Sequence, residues 1–156
     1  MPLAIGATAP DFTLPSQDGT PVTLSTLLAD GPVVVFFYPA AETAVCTKEA
    51  CHFRNLAAEF AAVGAKRVGI SKDTVEKQAG FADHLGLDYP ILSDPSGSAA
   101  KLFGVKPSLL GRFGPLQRTT FAIGADATIK TVVEGMLKAE IHADEALAAL
   151  RETPAS

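Results

Sequence analysis

Cys46 and Cys51 are the chain's only cysteines, and both lie in the segment Tyr38-Pro-Ala-Ala-Glu-Thr-Ala-Val-Cys-Thr-Lys-Glu-Ala-Cys. The segment follows the strongest strand signal in the sequence, Val33 to Tyr38, and opens an amphipathic helical pattern. A thiol at a helix N-terminus has its anionic form favoured by unpaired backbone N–H groups and by the helix dipole. Cys46 is therefore placed to be a nucleophile. Cys51 is close enough in sequence to trap whatever the first sulfur becomes. The pair points to thiol redox chemistry.

The helical pattern sets the geometry of the pair. Five residues of α-helix leave two side chains roughly 140° apart, with Cα atoms roughly 8 to 9 Å from each other. A disulfide wants that separation below about 7 Å. An intact helix cannot hold the bond, so the sequence predicts a cycle in which the helix is formed when reduced and locally unfolded when oxidised. Plainer readings compete. Either cysteine can be a small buried hydrophobe, a common state of free cysteines. A structural zinc needs four ligands, and only the scattered His52, His84 and His142 could supplement the two thiols. His52 reads as a surface or half-buried helix residue.

The elements that must hold these residues follow from periodicity and turn chemistry. Asp11-Phe-Thr-Leu and Pro21-Val-Thr-Leu flank a turn-rich stretch and read as a hairpin. Ser25 is placed to cap a short helix through Leu27 and Leu28, ended by Gly31-Pro32. Val33 to Tyr38 is apolar on both faces, as a central covered strand should be. From Cys46 to Val63, Cys46, Ala50, Phe53, Ala57 and Phe60 form one helical stripe. Strands are expected over Arg67 to Ser71, Tyr89 to Ser93, Thr119 to Ile123 and Thr128 to Glu134, the last two as a hairpin. Helices are expected over Thr74 to Leu85, Ser98 to Phe103 and about Ala143 to Arg151. This order is α/β: a mixed central sheet flanked by helices, with a thioredoxin-like fold the simplest arrangement and an N-terminal β-hairpin added. One domain over 1–156 is expected.

Bulk properties narrow the class. The 156 residues are 47% hydrophobic and 19% charged, with a formal net charge of −4. That balance argues against a nucleic-acid partner. The longest apolar run, Val33 to Phe37, falls far short of the roughly 20 residues that span a bilayer. The early residues lack the order of a secretory signal. A cytoplasmic protein is expected, and there a cysteine pair is more often catalytic or redox-sensing than a permanent staple.

Pro39-x-x-x-Thr43-x-x-Cys46 has the spacing of the peroxiredoxin signature, and Cys46-Thr-Lys-Glu-Ala-Cys51-x-Phe-Arg54 resembles the peroxiredoxin Q, or bacterioferritin comigratory protein, subfamily. The likeness runs through Ala9-Pro-Asp-Phe, Gly69-Ile-Ser-Lys-Asp, Tyr89-Pro-Ile-Leu-Ser-Asp, Phe103-Gly-Val and Arg118-Thr-Thr-Phe. The resemblance implies a thioredoxin-fold peroxidase acting on hydrogen peroxide and organic hydroperoxides, with a thioredoxin-like dithiol as reductant and no cofactor or metal. By that likeness Cys46 is the peroxidatic residue and Cys51 the resolving one, joined as a redox disulfide. Arg118 resembles the family's active-site arginine, which favours the thiolate and polarises the peroxide; its plainer reading is a surface residue at a strand edge. Thr43 offers a hydroxyl that can accept from peroxide while donating to sulfur, cap the helix, or both. Pro39 fixes the loop's path and shields the thiolate. Glu49 stands between two readings, a partner orienting Arg118 and a solvated helix position.

One departure matters. The family usually has Pro-Gly before the peroxidatic cysteine, where this chain has Ala44-Val45. Val45 brings a stiff, branched side chain into the active-site loop. That change leaves room for a rival reading, a redox-sensing or thiol–disulfide exchange module with little peroxide turnover. The loop from Pro107 to Leu116 is read as a substrate entrance, a dimer contact or core packing. No cysteine follows Cys51, so a monomer is expected, with a dimer as the alternative.

Overall fold

A computed structural model of the chain describes residues 2–107 and 115–152. Its centre is β3 (Val33–Phe37), five apolar residues buried on both faces. Around it a five-stranded mixed sheet runs β5-β4-β3-β6-β7. β4 (Lys66–Ser71) lies parallel to β3, and β5 (Ile91–Ser93) parallel to β4. β6 (Thr119–Ile123) pairs antiparallel with β3, and β7 (Ile129–Glu134) with β6. β1 (Thr13–Pro15) and β2 (Pro21–Thr23) make the separate N-terminal hairpin. This is the mixed α/β, thioredoxin-like arrangement expected from the element order.

Alternation along β3 divides the core in two. Val33, Val35 and Phe37 join Phe12, Leu14, Leu24, Phe103 and Phe121 on one face. Val34, Phe36 and Tyr38 join Cys46, Phe53, Phe60, Phe81 and Leu147 on the other. The first face is covered by the hairpin, α1 (Leu24–Leu28) and α5 (Ser98–Leu102). The second is covered by α2 (Ala44–Asn55), α3 (Ala57–Ala62), α4 (Val75–Leu85) and α6 (Ala139–Glu152). Cys46 thus sits in the second layer.

Three boundaries differ from expectation. Ser25 is not the cap of α1: that helix starts at Leu24 after Thr23, and Ser25 gives its N–H and hydroxyl to the Asp11 carboxylate, both at 2.8 Å. The stripe from Cys46 to Val63 is two helices, broken at Leu56 (φ −95°, ψ 20°), next to an asparagine that favours a helix end over its interior. The last helix begins at Ala139 rather than near Ala143, because the buried His142 continues its inward face. α4 keeps its expected extent to within one residue: the Thr74 hydroxyl accepts from the Lys77 N–H, and Gly86 closes the helix at φ 60°. Of the loop read between Pro107 and Leu116, residues 108–114 lie outside the described residues, while Leu116 is buried in the first core.

Gly69 sets the position of α2. A Cβ there would meet Phe36 Cζ at 2.8 Å and Ile91 Cγ2 at 3.0 Å. Phe36 in turn stacks on Phe53 of α2, with ring centroids 4.1 Å apart. Gly69→Ala should cost about 1–3 kcal/mol by overpacking, which lowers Tm by roughly 3–10 °C in a chain this long. Calorimetry checks this, and an unchanged Tm would mean the Phe36 ring has room to move.

Candidate active site

The backbone leaves β3 at Tyr38, whose N–H still donates to the Ile70 carbonyl. The turn that follows is anchored from the loop after β4: Asp73 Oδ2 accepts from the Ala41 N–H at 2.7 Å and from the Ser71 hydroxyl at 2.6 Å. Glu42 takes φ 65°, a region that residues with a Cβ enter at a cost and that clusters at functional sites. Thr43 stands as N-cap residue, extended at φ −97°, and α2 begins. Cys46 is the third residue of that helix, so its backbone N–H has no intrahelical acceptor and points out of the N-terminal end.

The thiol faces inward, with Cys46 only 2% exposed. Against it lies Arg118, itself 3% exposed, on the approach to β6. Three contacts fix the guanidinium. Nη2 donates to Cys46 Sγ at 3.3 Å, Nη1 to Glu49 Oε1 at 2.5 Å, and Nε to the Met136 carbonyl at 2.9 Å. A planar fork held at three points cannot swing away from the sulfur. Burial alone would lower the arginine's pKa, but the acids beside it, Glu49 and then Cys46, raise it above its ordinary value. The cation is permanent, and it is aimed at the Cys46 sulfur.

The AhpC/TSA family's sequence model matches residues 5–132. The chain belongs to this family. A chloroplastic peroxiredoxin Q from Sedum lineare is 40% identical over 146 residues, 94% of this chain and 77% of its own length. The crystal structure of the peroxidoxin BcpB from Mycobacterium tuberculosis has 57% identity and a TM-score of 0.91, covering 96% of this chain and 97% of that one. Peroxiredoxin Q of Xanthomonas campestris gives 30% identity and a TM-score of 0.81 over 96% and 95% of the two chains. The protein is thus a peroxiredoxin, an oxidoreductase with thiol-dependent peroxidase activity.

The peroxiredoxin's geometry brings Cys46 and Arg118 together and leaves other expected residues at a distance from the sulfur's bonds. The Thr43 hydroxyl donates to the Ala40 carbonyl at 2.7 Å, and it makes no capping bond. Expectation put that hydroxyl on the sulfur or the helix cap; a carbonyl three residues back closes the turn and takes its proton instead. Thr43 itself stays exposed. Pro39 and Val45 are both half-buried, Pro39 at the bend after β3 and Val45 as the second residue of α2. The usual Pro-Gly is thus replaced by two residues in the helix's first turn, where a helical conformation suits alanine and valine. Cys51 lies on the same unbroken helix, half-buried, and both thiols are free.

Two residues carry more of this peroxiredoxin's site than their sequence signals suggested. Glu49 is fully buried, which removes the solvated reading. Its place was legible: Cys46, Glu49, Ala50 and Phe53 have helical one-face spacing, and a carboxylate on that stripe needs a buried partner. His142, read as one of three scattered histidines, is also fully buried, within 3.7 Å of Glu49 Oε2 at Nδ1. His52 matches its half-buried reading and pairs with Asp144 at 2.7 Å. Met136, which gives the site a backbone carbonyl, carries no side-chain signal that could have marked it.

Proposed function

We propose that the Cys46 thiolate attacks the terminal oxygen of a peroxide, forms a sulfenic acid, and is resolved by Cys51 as an intramolecular disulfide that a thioredoxin-like dithiol reduces. The observation that carries this reading is the 3.3 Å bond from Arg118 Nη2 to Cys46 Sγ, inside the first turns of a helix that also bears Cys51. In the first step an S–O bond forms and the O–O bond breaks. Sulfur gives up two electrons, and the second oxygen leaves as hydroxide or alkoxide to be protonated. Negative charge spreads from sulfur onto both oxygens in the transition state. Arg118 and the open N–H groups of α2 are donors already oriented towards it, and such donors are worth far more in a dry site than in water. The exposed Thr43 hydroxyl stands at the helix entrance, where it can accept from the incoming peroxide, and Pro39 with Val45 walls the approach.

In the second step Cys51 attacks the sulfenic sulfur, and water leaves. Helix geometry keeps the two Cα atoms roughly 8–9 Å apart, so the first turns of α2 must unwind before the bond can close. Those turns are the end of a helix held by few partners before Cys46, which is where local opening costs least. Because both sulfurs belong to one chain, a monomer suffices for the cycle, and the site lies in the cytoplasm with small peroxides and a dithiol as its partners.

Cys51→Ser tests this sequence. The first reaction with peroxide should keep its rate within about threefold, since Cys51 is on the helix face away from the attack. The internal disulfide should vanish, and repeated peroxide additions should drive Cys46 to sulfinic acid. Mass mapping under non-reducing conditions reads both. Wild-type protein that yields only intermolecular disulfides would overturn internal resolution.

A further inference from the structure

Among the described residues, Glu49 Oε2 is the buried side-chain oxygen or nitrogen left without a hydrogen-bond partner. Such an orphan in a well-packed site asks for an explanation. His142 Nδ1 lies 3.7 Å from it, beyond hydrogen-bond range. That nitrogen is already engaged. His142 Nε2 lies 2.9 Å from the Gly135 carbonyl, which can only accept, so Nε2 carries the hydrogen. In the neutral ring Nδ1 then accepts, and the Thr120 hydroxyl donates to it at 2.7 Å. Burial, reinforced by Arg118 and opposed by the bond to Gly135, pushes this imidazole down to about 4, so at neutral pH it offers Glu49 no charge.

Charged and titratable groups surround Glu49. Arg118 faces it from the approach to β6, neutral His142 from α6, and Cys46 from one turn back on α2; Tyr89, whose hydroxyl donates to the Ala50 carbonyl, stays un-ionised. One guanidinium therefore serves two acids, the Cys46 thiol and the Glu49 carboxyl. If both were anionic, this dry pocket would hold a net negative charge with one carboxylate oxygen bare. Glu49 Oε1 can accept from Arg118 Nη1 whether or not Oε2 carries a proton. Burial pushes the Glu49 carboxyl up to about 8, against the pull of Arg118.

From this arrangement, and resting on the peroxidase reading above, we infer that Glu49 is a neutral acid protonated on Oε2 while Cys46 is a thiolate, and that it releases this proton when peroxide removes the sulfur's charge. Arg118 then faces one negative charge before and after the reaction. The step balances: Cys46–S⁻, ROOH and Glu49–COOH become Cys46–SOH, ROH and Glu49–COO⁻. Sulfur is oxidised by two electrons, the O–O bond is reduced, and the leaving alkoxide is matched by the proton from Glu49. Closure of the disulfide releases water and leaves the count unchanged. When a dithiol restores both cysteines, one of its protons returns to Glu49. Glu49 is in this sense a positioning residue, acting on the sulfur through Arg118.

Proton counting separates this from a purely structural ion pair. Reduced wild-type protein is mixed at pH 7 with one equivalent of hydrogen peroxide in weak buffer containing a pH indicator, and Cys46 oxidation is followed in parallel by mass spectrometry. Wild type should take up no proton per Cys46 oxidised, and Glu49→Gln, which has no proton to give, close to one. Infrared difference spectra of wild type supply a second readout that needs no variant. A protonated-carboxyl C=O band should be present when reduced, fade as pH rises through about 8, and disappear on oxidation. Peroxide consumption with one proton taken up by wild type, or a reduced protein without that band, would overturn the inference alone. A protein whose Cys46 is not oxidised would instead overturn the peroxidase reading beneath it.

Discussion

Replacing Cys46 by serine should lower kcat/KM for hydrogen peroxide by at least about a thousandfold, equivalent to about 4 kcal/mol of transition-state stabilisation. A serine hydroxyl cannot become an anion under the influence of one guanidinium, and no base stands beside it: Glu49 Oε1 is engaged by Arg118, and His142 is turned towards Thr120 and Gly135. The fold should survive, because the hydroxyl replaces a sulfur of similar size and can still accept from Arg118 Nη2. A coupled peroxidase assay with thermal unfolding on the same sample separates lost chemistry from lost structure. Turnover within tenfold of wild type at unchanged Tm would remove Cys46 from the reaction.

Arg118→Ala should be the second largest effect. The peroxide step loses its fixed cationic donor, for which a loss of about a hundred- to a thousandfold is expected. Stability falls as well, since Glu49 Oε1 and the Met136 carbonyl lose their donor in a buried place, at about 1–3 kcal/mol for a stranded group. Lysine should recover little. It carries the charge but cannot span the sulfur, the carboxyl and the carbonyl at once, as the planar fork does. Stopped-flow oxidation of Cys46 in each variant measures the first effect, and denaturant titration the second. Near-wild-type oxidation rates in Arg118→Ala would mean the helix N-terminus alone prepares the sulfur.

The parts legible in the sequence were those with a local cause. The continuous apolar run of β3 announces a strand covered on both faces, and Gly86 announces the end of α4. The Cys46–Cys51 spacing announced a pair on opposite faces of one helix. What escaped was set by partners distant along the chain. Ser25 looked like a cap because its type suits one, yet Asp11 draws its donors elsewhere. His142 broke the apolar pattern at the start of α6, and only the Thr120 hydroxyl and the Gly135 carbonyl explain how an imidazole fits in a core. Thr43 was read by its place beside the nucleophile, whereas the Ala40 carbonyl decides where its proton points. Glu49 lies between the two classes: its spacing puts it on the buried stripe, and only Arg118, distant along the chain, explains how an acid is accommodated there.

The central claim is that one sulfur, Cys46, reacts first and hands its oxidation to Cys51. Rapid mixing of reduced wild-type protein with one equivalent of hydrogen peroxide, acid quenching at successive times and mass mapping of each cysteine tests it most directly. The expected record is oxygen on Cys46 at the earliest times, followed by a Cys46–Cys51 disulfide that appears as the sulfenic acid declines. Oxygen found first on Cys51, or peroxide persisting while both thiols stay free, would contradict it.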